Sequence, residues 1–293
     1  MVKQRNMWAI IFLFFPLAIY TVFVIMPLLS SFYYSFTDWN GFNPNFSWVG
    51  FDNYLKITTD PTFLNAIKNT SIWMAAAIIV PSGFGLMIAL ILQRKIWGAN
   101  FFKSLFYLPI CLSLAVIGQV WIWIYHPDLG LLNLTLNFLH LSFLTDAWLS
   151  DPNTALFAVI VAWCWQQIGL AMVIFLSGLT SIPQELIEAA EIDGANYWQS
   201  LWRVIIPLLS PATVVVIALA IINSLKSFDV VYIMTKGGPF HSSDTLAMMM
   251  YNESFQKYYI GYGSAVSVVL FLIAMIVIAF YFRQVRELEH LYD

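Results

Sequence analysis

Charge is scarce in this chain of 293 residues: Asp, Glu, Lys and Arg make up 10% of it, against roughly 25% in a soluble domain. The charge present nearly cancels, with 13 Lys and Arg against 16 Asp and Glu. Without a basic surplus there is no counterion-release drive toward nucleic acid, which is excluded as a partner. Cysteine is almost missing too. Cys111 and Cys164 stand singly in apolar runs without CxxC or metal-ligand spacing, which excludes a disulfide framework and a metal site of that kind. No G-x-x-x-x-G-K-[ST] loop occurs, so the chain itself carries no phosphate cradle for a nucleotide. Neither G-x-S-x-G nor H-E-x-x-H occurs, and His126, His140 and His241 lack an acid or nucleophile at motif spacing; they read as loop histidines, and an intramembrane hydrolase is excluded.

What fills the space is apolar. Hydrophobic residues make up 60% of the chain, and the mean hydropathy is +0.77. Six runs reach the roughly 20 residues that a helix needs to cross a hydrocarbon core: Trp8 to Tyr34, Asn69 to Leu92, Leu105 to Tyr125, Thr154 to Thr180, Leu208 to Met234, and Gly261 to Phe282. Backbone groups in lipid must be satisfied within the segment, and the period-2 pattern of barrel strands is absent, so the runs read as helices. The expectation is an all-α membrane protein with six transmembrane helices and a single domain over 1–293. The first run is too long for a signal peptide and no A-x-A site follows it.

Counting basic residues by loop sets the orientation. With the N-terminus inside, eight Lys and Arg face the cytoplasm (Lys3, Arg5, Arg94, Lys95, Lys103, Arg203, Arg283, Arg286), four face outward (Lys56, Lys68, Lys236, Lys257), and Lys226 falls inside the fifth run. Both termini are thus expected in the cytoplasm, in a multi-pass protein of the cytoplasmic membrane. Pro81, Pro109 and Pro207, in or beside spans, are candidate kinks.

Ionisable residues within a span cost about 2.5–3.5 kcal/mol at its centre and mark candidate function. Lys226 and Asp229 qualify. Their three-residue spacing places them on one helical face, where they either neutralise each other to steady the fifth helix or serve a transported solute. Asn223, Ser224 and Ser227 lie beside them, and Trp163, Trp165, Gln166 and Gln167 cluster in the outer half of the fourth span.

The inner loop between the fourth and fifth runs, 181–207, does not read as a linker. Ile182 and Pro183 open a helix with Glu185 and Glu188 in its first turns, as the macrodipole favours. Leu186, Ile187, Ala189 and Ala190 give it an apolar face, and Gly194 stands where it ends. Tyr197, Leu201, Trp202 and Ile205 then recur at helical steps up to Pro207. The acids Glu185, Glu188, Glu191 and Asp193 argue for docking into a partner rather than for lying on anionic lipid.

Glu188, Ala189, Ala190, three residues, Gly194, nine residues, then Val204, Ile205, Ile206 and Pro207 resemble the EAA motif of membrane subunits of ATP-binding-cassette importers, E-A-A-x3-G-x9-I-x-L-P. Val204 and Ile206 are conservative departures. Phe228 and Asp229, followed by Thr235, Lys236, Gly237, Gly238 and Pro239, resemble the F-D…T-x-G-G-P signature of carbohydrate-uptake permeases of the MalF and glycerol-phosphate type. Gly261 to Ala265 resemble that family's entry into its last helix. The resemblance implies a type I importer permease with a cytoplasmic coupling helix between helices 4 and 5. It implies as partners a second homologous permease, two ATPase subunits that bind ATP and magnesium, an extracytoplasmic solute-binding protein and a sugar, polyol or glycerol-phosphate solute. This chain then holds no cofactor and has no ATPase activity. On the resemblance, Glu188 pairs with a basic residue of the ATPase, Ala189 and Ala190 allow close approach, Gly194 makes the turn and Pro207 ends the motif. Trp163, Gln166, Gln167, Asn223, Ser224, Lys226, Ser227 and Asp229 fall in the register of the family's solute pocket. Amides, hydroxyls and aromatic rings are suitable walls for a sugar.

Overall fold

The computed structural model describes residues 12–94 and 97–289. The start of the first run at Trp8, together with Lys3, Arg5 and Lys95, lies outside the described residues. Helices dominate: α1 (Phe12–Tyr34), α2 (Asp52–Thr59), α3 (Pro61–Leu92), α4 (Ala99–Tyr107), α5 (Leu114–Ile124), α6 (Leu131–Phe138), α7 (Ala155–Thr180), α8 (Gln184–Ile192), α9 (Tyr197–Leu208), α10 (Ser210–Leu225), α11 (Asp229–Met234), α12 (Leu246–Tyr251) and α13 (Ile260–Glu289). Among the described residues the only β feature is an isolated bridge between Thr37 and Trp48.

Four helices are long and apolar enough to cross a membrane, α1, α3, α7 and α13, and up to six spans result if each of two bent pairs counts as one. The third run breaks at Leu112 and Ser113, where the helical path turns by 103°. Pro109 brings no N–H to the end of α4, a 3-10 turn covers Leu108–Cys111, and Ser113 caps α5 by accepting from the Val116 N–H at 3.4 Å. The fifth run breaks twice. It turns by 66° at Leu209, after the π turn Leu201–Ile205 and Pro207, both recognised causes of helix kinks. It stops again at Leu225, and α11 starts only at Asp229.

The chain forms two compact units. The first takes in Met1–Phe63 and Met249–Leu272. Here a loop after α1 folds back on itself through Asp38 N–H to the Ser47 carbonyl and Val49 N–H to the Phe36 carbonyl, and Asn53 donates to the carbonyls of Ser35 and Thr37. Tyr34 stacks on Trp39 with ring centres 4.1 Å apart. Gly261 touches this loop so closely that a Cβ there would lie 2.0 Å from the Thr37 carbonyl oxygen, which gives the glycine at the start of α13 its physical reason.

The second unit takes in Leu64–Met248 and Ile273–Asp293. It holds two apolar cores. One gathers Trp73, Ala77, Leu156, Val159, Trp163, Val230 and Val231, and the other Ala89, Leu92, Met172, Phe175, Leu179, Leu201 and Ile205. The buried small residues of α7, Ala158, Ala162, Gly169 and Ala171, let other helices approach closely, the usual mode of packing in membranes.

Candidate functional site

Two features stand out in the second unit: a polar cavity at the break of the fifth run, and the hairpin of α8 and α9. The cavity arises because α10 ends at Leu225 and the chain turns through Lys226, Ser227 and Phe228, with the Phe228 N–H donating to the Lys226 carbonyl at 2.8 Å. A space of about 360 Å³ opens there, lined by Ile110, Leu112, Leu114, Trp163, Gln166, Gln167, Asn223, Lys226, Ser227, Phe228, Asp229 and Val230. Its size lies within the roughly 300–1,000 Å³ of small-molecule sites. Seven of the eight residues expected along a solute path converge on it. Ser224 does not: it is fully buried, and its hydroxyl donates to the Ile221 carbonyl at 2.8 Å.

The polar groups divide by how far the protein already uses them. Gln166, 3% exposed, donates its amide to the Leu112 carbonyl at 2.9 Å, and Gln167 donates to Gln166 Oε1 at 3.2 Å. Gln166 therefore closes the broken third run as well as lining the cavity. Ser227 is 4% exposed, and its hydroxyl has no hydrogen-bond partner among the described residues. A buried hydroxyl left open costs free energy unless a ligand or water meets it. Trp163 brings an apolar wall, fixed edge-on against Trp73 at 5.9 Å.

Lys226 and Asp229 do not behave as a helical pair. The helix ends between them, both are exposed on the cavity, and no ion pair joins them among the described residues. A three-residue spacing aligns side chains only where the helix is continuous, so mutual neutralisation on one face is overturned. Ile110, Leu112, Leu114 and Val230, with Phe228 of the F-D pair, complete the lining; the first four were not singled out by sequence, being unmarked members of apolar runs.

The hairpin has its own logic. At the end of α8 the Ala195 N–H donates to the Ala190 carbonyl and the Gly194 N–H to the Glu191 carbonyl, at 2.9 and 3.0 Å, the Schellman pattern. Gly194 has φ of +85° and nothing within 4 Å of where a Cβ would sit. Backbone conformation, not space, requires the glycine. Asn196 then caps α9 in a capping box with Gln199. Glu188 is exposed, held by Gln184 Nε2 at 2.7 Å. Ala189 is exposed, whereas Ala190 is only 9% exposed and packs toward α9. On the hairpin Ile192, Trp198 and Trp202 stand 86%, 65% and 64% exposed, and Glu185, Glu188 and Glu191 are exposed as well. Pro207 lies half-buried just past the π turn.

Loop histidine is too plain a description of His241. Its Nδ1 lies 2.6 Å from the buried Asp244 carboxylate, three residues on. His126 does fit that reading, its ring accepting from the Asp128 and Leu129 N–H groups.

Several helices of membrane-spanning length, a polar cavity at a helix break and a capped hairpin together suit a transport protein of the membrane. The family model described as binding-protein-dependent transport system inner membrane component matches residues 81–288, and the chain belongs to that family. The chain is 34% identical over 289 residues to the probable starch degradation products transport system permease AmyD of Thermoanaerobacterium thermosulfurigenes, covering 98% of this chain and 97% of that one. It is 34% identical over 282 residues to the multiple sugar-binding transport system permease MsmF of Streptococcus mutans, covering 96% of each. Its fold matches a chain of a bacterial alginate ABC transporter in complex with alginate pentasaccharide-bound periplasmic protein, at a TM-score of 0.81 and 19% identity, covering 95% of this chain and 94% of that one.

Proposed function

We propose that this chain is one permease subunit of an ATP-driven importer that carries a sugar or sugar-like solute through the cytoplasmic membrane by alternating access. The observation that carries the reading is the convergence of Trp163, Gln166, Gln167, Asn223 and Ser227 on one cavity at a helix break. An aromatic face with several amides and an open hydroxyl suits a polyhydroxy solute, and a Lys and an Asp together leave the wall without net charge. The relatives named for starch degradation products and multiple sugars point the same way.

In this reading the hairpin is the cytoplasmic coupling element, and both termini lie on its side of the membrane. Two partner ATPases bind ATP and magnesium and receive the exposed face of α8, where Glu188 offers a charge-assisted hydrogen bond to a basic residue. A second, homologous permease completes the path. An extracytoplasmic solute-binding protein delivers the solute, as the alginate transporter's complex with its periplasmic protein illustrates for that system. ATP-driven closure of the ATPases moves the hairpin, and α7 and α10, rooted in it, move with it and change the side to which the cavity opens.

The test is purification of the chain with its genomic neighbours in mild detergent. Expected are a second permease and an ATPase in the complex, and ATPase stimulation by the binding protein. A lone chain that moves solute without ATP overturns the reading.

A further inference from the structure

Helix α3 touches both features at once, by opposite ends. Near its C-terminus, Ala89 and Leu92 enter the core formed with Leu201 and Ile205 of α9, and the Arg94 guanidinium lies over the Tyr197 ring at 5.0 Å. Near its N-terminus, Asn69 Nδ2 donates to the main-chain carbonyls of Ser242 and Asp244 at 2.8 and 2.9 Å, and Thr70 Oγ1 accepts the Leu246 N–H at 3.0 Å. The segment held in this way reaches the cavity: Thr245 Oγ1 donates to the Ser227 carbonyl at 2.8 Å. Asn69, Thr70, Thr245 and Ser227 are all buried, at 4% exposure or less. From Asn69 to Leu92 the helix spans about 35 Å at 1.5 Å per residue.

We propose that α3 is the member that ties the hairpin to the cavity, with Asn69 as the positioning residue at its far end. The inference rests on the coupling role given to the hairpin above. Helix α3 is continuous from Pro61 to Leu92 even though Pro81 stands inside it without an N–H, so displacement of α9 is carried along α3 to the 242–246 segment and through Thr245 to Ser227. The element that receives it is the 226–228 break, where the helix stops at Leu225 and resumes only at Asp229, with the Ser227 N–H on the Ser224 carbonyl and the Phe228 N–H on the Lys226 carbonyl in place of a continuous α-helical ladder. The link is a chain of buried hydrogen bonds and packed side chains, the physical kind of connection between distant sites. Asn69 is suited to this by donating twice from one nitrogen: loss of that group removes two of the bonds that hold the segment to α3, leaving those of Asn65 to the His241 carbonyl and of the Leu246 N–H to Thr70.

The experiment uses the assembled importer in lipid nanodiscs, carrying Ser227→Cys on a Cys111→Ser background. A membrane-impermeant maleimide reports on position 227, with ATP and vanadate present or absent, so no solute need be identified. With native Asn69, trapping changes the labelling rate by about five- to hundredfold, the usual span of coupling between sites. In Asn69→Leu, of similar volume but without a donor, that change shrinks to within about twofold while ATP hydrolysis continues. Thr70→Val gives the same result through the neighbouring bond. An assembled variant of either kind that keeps the full nucleotide-dependent change overturns the proposal. So does failure of both to assemble, since the bonds then only hold the fold together. If native Asn69 itself shows no nucleotide-dependent change, the coupling role of the hairpin fails, and this proposal with it.

Discussion

The side-chain amide of Gln166 donates to the main-chain carbonyl of Leu112 at 2.9 Å, so a residue of α7 satisfies the backbone where the third apolar run breaks. One side chain thus serves both the stability of the fold and the wall of the cavity. In a membrane the freed carbonyl has few other partners. Gln166→Leu, similar in volume, is expected to destabilise the second unit by about 1–2 kcal/mol. Thermal unfolding in detergent, followed by tryptophan fluorescence, measures it; an unchanged midpoint refutes the structural half of the argument.

The open hydroxyl of Ser227 and the amide of Asn223 are expected to act on solute binding with little effect on the fold. Ser227→Ala and Asn223→Ala should each raise the half-saturating solute concentration about two- to tenfold, the worth of one hydrogen bond. Ser227→Trp, which fills the space, should abolish uptake while the complex still assembles. Transport into proteoliposomes with the binding protein decides, and normal uptake by the tryptophan variant would remove this cavity from the path.

Glu188 is exposed and, among the described residues, is hydrogen-bonded by Gln184, so Glu188→Lys should leave insertion and folding unchanged. Uptake should nevertheless fall, and ATP hydrolysis should no longer respond to the binding protein. Gly194→Val is expected to act through the backbone instead, costing about 1–2 kcal/mol for a side chain at positive φ and shifting the hairpin's melting. Measuring ATPase and uptake on the same preparation separates the two mechanisms.

Asp60, in the first unit, gives a pH dependence with a definite sign. Partial burial works against its charge, yet hydrogen bonds from Tyr262 Oη, the Thr62 N–H and hydroxyl, and the Phe63 N–H outweigh that and hold the carboxyl below its ordinary value. A carboxylate depressed in the folded state contributes stability above its unfolded pKa, and that contribution fades as pH falls from about 4 toward the folded value. Asp60→Asn should therefore be less stable than the native chain at pH 7 and converge with it in acid. Midpoints measured from pH 7 to pH 3 that run parallel would contradict the assignment.

Hydropathy made the apolar runs legible because crossing a bilayer demands length and apolarity, and nothing else in a sequence imitates both. The turn at Gly194 was legible for a similar reason: a helix that stops with φ positive needs a residue without Cβ. The break at 226–228 was not, since Lys226, Ser227 and Phe228 carry no glycine or proline and continue the apolar periodicity well enough to pass as helix. Reading Lys226 and Asp229 as a helical pair followed directly from that. The inward packing of Ala190 was hidden because small residues serve close contact with a chain's own neighbours and with partners alike. Nor could sequence bring Asn69 to Ser242 and Asp244, more than 170 positions away, since an asparagine among the polar residues Lys68, Thr70 and Ser71 at the start of an apolar run gives no hint of what it holds.

Helix α1 has no buried residue in the most apolar stretch of its length. Its last turn is tied to its own unit through Phe32 against Phe271 and Tyr34 on Trp39, but the surface of the stretch before that is free to be shaped by whatever lies against it. Changes of side chain in that apolar stretch are then expected to leave the fold as it was.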